Sequence, residues 1–171
     1  MNREGDVGRS VFRNALHNHV DYDVRDEPGV AARIFSAIAE ANIVVDMIVQ
    51  SVSAHGTTDL SFTIHENDLE SAKKILTPIV TELKAVQLIA KSSVAKLSVV
   101  GIGMLSHSGV AAKLFDCLGR GGINIQLIST SEIKIAVVIN EAEADQAARL
   151  THEAFGLARL GPVATEVRLP A

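Results

Sequence analysis

The sequence predicts an α+β protein built from two copies of one βαββαβ unit. Three observations lead to this prediction: an internal repeat, a helical spacing of apolar residues after a glycine in each copy, and alternating strands after each helix. The chain has 171 residues, enough for one ordinary domain or two small ones. Its 47% hydrophobic and 21% charged residues are typical of a chain that buries a core.

The repeat is visible when the chain is compared with itself. Asp26–Ser51, shifted by 80 residues, aligns without a gap with Ser106–Ser131, and 8 of the 26 positions are identical. Beyond Ser51 the offset becomes 75, and the five-residue difference falls in the polar loop SVSAHG. An insertion is best tolerated in such a loop, so the chain contains two copies of a unit of about 75 residues.

The pattern that the two copies share begins with an amphipathic helix. Apolar residues recur at helical spacing after Pro28-Gly29 and again after Gly109. β-branched runs follow at Ile43–Val52 and Ile123–Ser129, and alternating strands come next. The alternating apolar positions are Leu60, Phe62 and Ile64 in copy one and Ile133, Ile135, Val137 and Ile139 in copy two.

A second helix completes each copy, with short strands around it. The helices are expected from Asn67 to about Lys84, where Pro78 should kink or divide the helix, and from Glu141 to Phe155. The short strands are expected at Leu16–Val24, Ala85–Ala90, Val94–Val100 and Val163–Arg168. This order predicts an antiparallel sheet with two helices on one face, a ferredoxin-like sandwich.

The domain boundary is expected near Ala90–Ser93, the one candidate linker. We therefore expect domain 1 at 15–91 and domain 2 at 92–171, packed together. The C-terminal strand, about 162–169, has an alternative place in the sheet of domain 1, which would interleave the two domains.

Composition argues against several functional classes. Sixteen Lys+Arg and twenty Asp+Glu give 16 − 20 = −4, with a pI near 5.8, which disfavours nucleic acid as a partner. The N-terminal residues have no apolar signal region, and the apolar runs are about half of the roughly 20 residues that a membrane helix needs. A single cysteine, Cys117, fits a reducing compartment. We expect a cytoplasmic protein that contacts no membrane.

The sequence offers no cofactor, metal or catalytic motif. Gly101 and Gly103 begin a dinucleotide-like glycine pattern, but Ser106 stands at its third glycine. His17–Asp23 place two imidazoles and two carboxylates on one strand face, which we interpret as a polar edge strand rather than a metal site. No histidine has a nucleophile and an orienting group at a recognisable spacing.

The two helix starts are the remaining candidate sites. The segments are DEPGVA from Asp26 and SHSGVA from Ser106. A helix start leaves backbone N–H groups unpaired and favours a carboxylate, and Asp26 is suited to pair with an ammonium group. Together these groups complement a free amino acid. Ser106 replaces the aspartate in copy two, so the copies should bind unequally.

A family resemblance gives this geometry a function. The segments DEPGVAARIF, NIVVDMIVQS, GTTDLSFTI, KLSVVGIGMLSHSGVAAKLF and GINIQLISTSEIKIAVVI together resemble the tandem ACT regulatory region of aspartate kinase, over about Asp26 to Leu157. The resemblance implies ACT domains that bind L-threonine, L-lysine or both as feedback signals at an interface between ACT units of two chains. It also implies a homodimer and a partner, the aspartate kinase catalytic subunit, which phosphorylates aspartate with ATP.

The resemblance also implies which residues bind the effector. In copy one they are Asp26, Gly29, Val30, Ala31, Val45, Asp46 and Gln50. In copy two they are Val110, Ala111, Asn124, Ile125, Ser131 and Glu132. The expected roles are carboxylate binding by the Gly29–Ala31 amides, ammonium binding by Asp26, and side-chain hydrogen bonds from Gln50 and Asn124.

The sequence departs from the family in two places. The K-F-G-G-T-S segment of the family's catalytic region is absent, so this chain resembles a regulatory subunit or fragment without kinase activity of its own. Residues before the first turn, LHNHVDYDV, are more polar than the family's usual strand. The alternatives are a stand-alone ACT pair that regulates without a kinase, an RNA-recognition module of the same topology, disfavoured by charge and few aromatics, and an independent enzyme.

Overall fold

The computed structural model describes residues 10–25, 27–52, 57–83, 88–101 and 109–157, with the backbone alone for 10–25 and for Thr57. The chain divides into two compact units: Leu16–Val94, called here the N-terminal unit, and Ala95–Ala171 with Met1–Ala15, the C-terminal unit. The predicted strand at 162–169 lies outside the described residues.

The N-terminal unit has the predicted ferredoxin-like topology. Its elements are the part of β1, Ser10–Arg25, from Leu16 onward, then α1 Val30–Glu40, β2 Val45–Val52, β3 Thr57–His65, α2 Leu69–Glu82 and the first part of β4, Leu88–Val100. The strands lie in the order β2-β3-β1-β4, and both β1 and β2 are antiparallel to β3. β2 is therefore an outer strand of this unit.

The C-terminal unit repeats the pattern as far as it is described. The rest of β4 is followed by α3 Val110–Arg120, β5 Leu127–Thr130, β6 Lys134–Asn140 and α4 Ala144–Ala154. The strands lie in the order β4-β6-β5, with β5 antiparallel to β6. β5 is the outer strand here, as β2 is in the first unit.

Each unit has its own apolar core between helices and sheet. In the N-terminal unit, Ile34 and Ile38 of α1 and Leu76 of α2 pack with the strand residues Leu60, Phe62 and Ile64. The Phe35 and Phe62 rings meet edge to face with centroids 5.4 Å apart. The corresponding core of the C-terminal unit is formed by Leu114, Leu118, Ile135, Val137, Ile139, Ala147 and Ala148, among others. The helices of each unit therefore cover one face of its sheet.

The ends of α1 and α3 show that the sequence repeat is also a structural repeat. After α1, the Asn42 amide bonds to Ala39 O at 2.9 Å and the Ile43 amide bonds to Ile38 O at 3.1 Å, which forms a Schellman cap. The same two bonds recur after α3, 80 residues later, with Gly122 at the left-handed position. The degree of burial also matches position by position from 29–45 to 109–125.

Two predicted elements differ from the structure. Ala85–Ala90 and Val94–Val100 were expected as separate strands, but Leu88–Val100 is one continuous strand. The polar residues Lys91, Ser92 and Ser93 are exposed within it, and the strand continues through Ser93 although the φ of this residue is positive, 62°. Pro78 does not divide α2, which runs unbroken from Leu69 to Glu82.

Candidate functional site

The two predicted helix starts have nearly the same backbone conformation. Gly29 has φ 92° and ψ −12°, and Gly109 has φ 96° and ψ −6°. This left-handed region favours glycine because it has no Cβ. Each glycine carbonyl accepts the first helical bond, from the Arg33 amide at 3.0 Å and from the Lys113 amide at 2.9 Å.

Glycine has no side chain with which to satisfy the next amides of the helix. The Val30 amide bonds to Glu27 O at 3.4 Å. The next N–H groups of α1, like the start of α3, lie at the positive end of the helix dipole. Val30, Ala31, Val110 and Ala111 are all half-buried. The two starts are equivalent in backbone and burial, as the repeat predicts.

A β-bulge at the beginning of β2 orients the strand residues of the candidate site. Val45 pairs with Ile64 and Met47 pairs with Thr63, so Asp46 is an extra residue inserted between these two pairs. Beyond the bulge, Gln50 pairs with Leu60. A bulge of this kind changes which residues share a face of the sheet.

The consequence of the bulge is that Val45 and Gln50 share the face that carries α1. Residues directly opposite each other share a face, and Ile64 and Leu60 both pack into the helix-covered core. In a regular strand two residues five apart would point to opposite faces. The bulge therefore turns both predicted site residues toward the helix side.

In the C-terminal unit the residues at the positions of Val45 and Gln50 also lie on the helix-covered face. Ile125 packs against the helix-covered core, and Thr130 pairs with the core residue Ile135. Gln126, in the position of Asp46, donates its amide to Val138 O at 2.8 Å. Asn124 is exposed immediately before Ile125.

Ser131 and Glu132 lie in the tight turn between β5 and β6. The Ser131 amide bonds to Lys134 O at 2.7 Å, and both predicted site residues are exposed. The Gly101 amide bonds to Ile133 O at 2.9 Å, which places this turn beside the end of β4. The chain leaves β4 there on its way to Gly109 and α3.

The direction of α1 decides which strand residues lie near its start. β1 and β2 are parallel to each other because both are antiparallel to β3. α1 joins the end of β1 to the beginning of β2, so it runs back along them for about 16 Å, at 1.5 Å per residue. Its first turn therefore lies toward the Gln50 end of β2, away from Val45.

The predicted site residues consequently fall into two groups in each unit. We call these two groups the helix-start group and the strand-start group. The helix-start group is Gly29, Val30, Ala31 and Gln50 in the N-terminal unit, and Val110, Ala111, Ser131 and Glu132 in the C-terminal unit. The strand-start group is Val45 and Asp46 in the first unit, and Asn124 and Ile125 in the second.

The two groups of one unit are far apart for a single small ligand. Val45 and Gln50 pair with Ile64 and Leu60, four residues apart on β3, so at about 3.3 Å per residue they lie about 13 Å apart along the sheet. Ile125 and Ser131 lie beyond opposite ends of β5. Each group thus lies toward one end of its unit, and the two groups lie toward opposite ends. Asp26 lies outside the described residues, as do Gly103 and Ser106.

The described residues contain no group of three or more His, Cys, Asp or Glu side chains that could hold a metal ion. The side chains of His17–Asp23 are outside this description. Among the helices of the described ranges, none is long and apolar enough to cross a membrane.

Sequence reasoning missed Thr63, which anchors the bulge. Its hydroxyl accepts the Met47 amide at 3.2 Å, and Thr63 is completely buried. A signal was present in the sequence: Val45 and Gln50, assigned to one site, lie five positions apart, which is an odd offset. Residues at such a spacing share a strand face only if a bulge lies between them.

Comparison with known proteins agrees with the repeat. The sequence pattern of the ACT domain family matches residues 21–77 and 97–155, one match in each copy. Two ACT domains in tandem are therefore the class of protein that this fold and these helix starts define.

Relatives of known identity are aspartate kinases. The aspartate kinase of Stutzerimonas stutzeri is 49% identical over 134 residues, which are 78% of this chain and 32% of that protein. The aspartokinase of Corynebacterium glutamicum is 43% identical over 136 residues, again 78% of this chain and 32% of that protein. The chain thus spans about a third of the length of the curated relatives it matches.

Solved structures match over nearly their whole length. A chain of the aspartokinase alpha and beta subunit structure has a TM-score of 0.79 and 43% identity, covering 86% of this chain and 97% of that one. The regulatory subunit of aspartate kinase from Thermus thermophilus has a TM-score of 0.81 and 35% identity, covering 88% and 99%. The chain belongs to the aspartate kinase family and corresponds to its regulatory ACT region.

Proposed function

We propose that this chain is the amino-acid-sensing regulatory subunit, or a regulatory fragment, of an aspartate kinase. It binds L-threonine, L-lysine or both at ACT interfaces and controls aspartate phosphorylation by feedback in the biosynthesis of lysine, threonine and methionine. The observation that carries the proposal is the match to solved regulatory subunits over 97% and 99% of their chains. No catalytic role is assigned to the chain itself.

The helix-start group receives the carboxylate of the effector. The N–H groups after Gly29 and Gly109 supply hydrogen bonds and positive dipole ends. Asp26 pairs with the ammonium group, and Gln50 hydrogen-bonds polar atoms of the effector side chain. Glu132, at the turn beside the end of β4, gives the C-terminal unit its own carboxylate at the equivalent end.

The strand-start group completes the site from a second ACT unit. Threonine and lysine are both shorter than the separation of about 13 Å between Val45 and Gln50. One bound molecule therefore contacts only one group of a given unit. Val45 and Asp46, or Asn124 and Ile125, act on an effector bound at the helix start of another unit.

Homodimerisation through the ACT domains supplies that second unit. The outer strands β2 and β5 carry exposed apolar side chains, Ile48 and Val52 on β2 and Ile128 on β5. Outer strands with such side chains are suited to association with another chain. A molecule held between two chains fixes their relative orientation, which is how binding is converted into regulation.

The effector changes the activity of the catalytic partner only to the extent that it binds one arrangement of the ACT units more tightly than another. The partner is the aspartate kinase catalytic subunit, and the chain requires neither a cofactor nor a metal for this role. The direction of control is feedback inhibition.

Reconstitution tests the proposal. The chain is mixed with the catalytic subunit of its own aspartate kinase, and aspartyl phosphate formation is followed with threonine, lysine, both together, or glycine as a control. The proposal expects inhibition by threonine or lysine only when this chain is present. Equal activity under all conditions, with amino acid binding retained, would favour the stand-alone ACT regulator instead.

A further inference from the structure

The bulge anchored by Thr63 is a feature of the N-terminal unit that the repeat does not share. Thr63 is 0% exposed and Met47 is 6% exposed, so the bond from the Met47 amide to the Thr63 hydroxyl is shielded from water. Shifted by 75 residues, Thr63 corresponds to Val138. Valine has no hydroxyl, so the C-terminal unit has no equivalent of this hydrogen bond.

The position of this hydrogen bond determines which side chains of β2 face the candidate site. Thr63 faces away from the helix-covered core because its neighbours Phe62 and Ile64 face into it. Its hydroxyl reaches the backbone of the outer strand at the residue after Asp46, where the strand register shifts. The bond therefore fixes the point at which the extra residue is inserted.

Moving that point would turn site residues away from their face. If β2 paired regularly from Val45 onward, Gln50 would point to the face opposite α1. If β2 instead kept the pairing of Gln50 and continued regularly to Val45, Val45 would point to the face opposite α1. Both residues share the α1 face only while the bulge stays at Asp46.

We infer that Thr63 is a positioning residue for the effector site of the N-terminal unit. Its buried hydroxyl holds the bulge at Asp46 and thereby sets the directions of Val45, Asp46 and Gln50. It acts through the backbone without touching the ligand. The inference rests on the proposed function and adds a reason why the two ACT units bind unequally.

The test compares two substitutions at one position. Thr63→Val keeps the shape and removes the hydroxyl, whereas Thr63→Ser keeps the hydroxyl. Thr151→Val makes the same chemical change at an equally buried threonine of α4, in the other unit, and is the matched control. Each protein is titrated calorimetrically with threonine and with lysine, and exchange of the Met47 amide proton is measured by NMR without ligand.

We expect Thr63→Val to weaken binding about tenfold, the effect of leaving one buried donor unpaired, and to accelerate exchange at Met47. Thr63→Ser and Thr151→Val should bind within about twofold of the wild type, a difference too small to reflect a lost hydrogen bond. Wild-type affinity in Thr63→Val would overturn the inference and leave the proposed function intact. Absence of binding in every protein, the wild type included, would overturn the proposed function and with it any positioning role.

Discussion

Replacing Gly29 by alanine separates the cost of its backbone conformation from any steric cost. The φ of 92° at Gly29 is one that residues with a Cβ rarely adopt, and a Cβ built there has no heavy atom within 4 Å. The penalty therefore comes from the backbone alone. Adopting this conformation costs an alanine about 1–2 kcal/mol, while stiffening the unfolded chain returns about 0.4–1 kcal/mol. We expect a net loss of about 1 kcal/mol in the free energy of unfolding.

The repeat provides an internal duplicate of this experiment. Gly109 has φ 96° and equally open space around a Cβ, so Gly109→Ala should cost the same within about 0.5 kcal/mol, the usual limit of additivity for independent sites. Gly29→Asn should cost less than Gly29→Ala because asparagine tolerates left-handed φ better.

Urea unfolding followed by circular dichroism measures these differences as shifts of midpoint at constant slope. Gly29→Ala that is as stable as the wild type, or more stable, would refute the reasoning. It would show that the start of α1 does not depend on a left-handed residue.

Two further predictions concern the site and the surface. Asp26→Ala should weaken effector binding about ten- to a hundredfold, as expected for a lost hydrogen bond to a charged group, and Asn124→Ala about three- to tenfold. Neither should lower the urea midpoint, and unchanged affinity in both would show that the assigned site is wrong. Separately, the hydrogen bond from Lys73, together with its charge, lowers the pKa of the exposed Glu70, at an Nζ–Oε1 distance of 2.7 Å. Any stabilisation from this pair is present above the ordinary pKa of a glutamate and is lost as the pH falls through the lowered value. In Lys73→Ala, NMR titration of the Glu70 carboxyl carbon should show its pKa returning toward the ordinary range; the same pKa in both proteins would contradict this.

The repeat was predictable from sequence because each copy must bury the same helix stripe. Ile34 and Ile38 in one copy and Leu114 and Leu118 in the other occupy equivalent buried positions. Side-chain burial at helical spacing is a local pattern, so it can be recognised without knowing the fold. The glycine at each helix start was predictable for the same reason.

Features that depend on pairing between strands were harder to predict. The polar residues Lys91–Ser93 were interpreted as a boundary between strands, but exposed polar residues are compatible with a continuous strand when no Gly or Pro interrupts it. The bulge at Asp46 is likewise set by its partner strand, through Thr63. Sequence spacing alone therefore placed Val45 and Gln50 in one site but did not reveal how the strand turns both to the same face.

Separation of the site into two groups also required the fold. The residues assigned to one effector site lie at both ends of β2 and β5, and that arrangement follows from the parallel direction of β1 and β2. The proposed sharing of the site between ACT units is a consequence of this geometry. If the site is shared in this way, the number of effector molecules bound per chain depends on the oligomeric state.

Isothermal titration of the purified chain tests the central claim most directly. Threonine, lysine and the two together are titrated into the protein, with methionine and glycine as controls. The account predicts saturable binding of threonine or lysine, without binding of the controls. A folded dimer that gives no heat of binding with threonine, lysine or their mixture, and shows no change in its NMR spectrum on their addition, would contradict it.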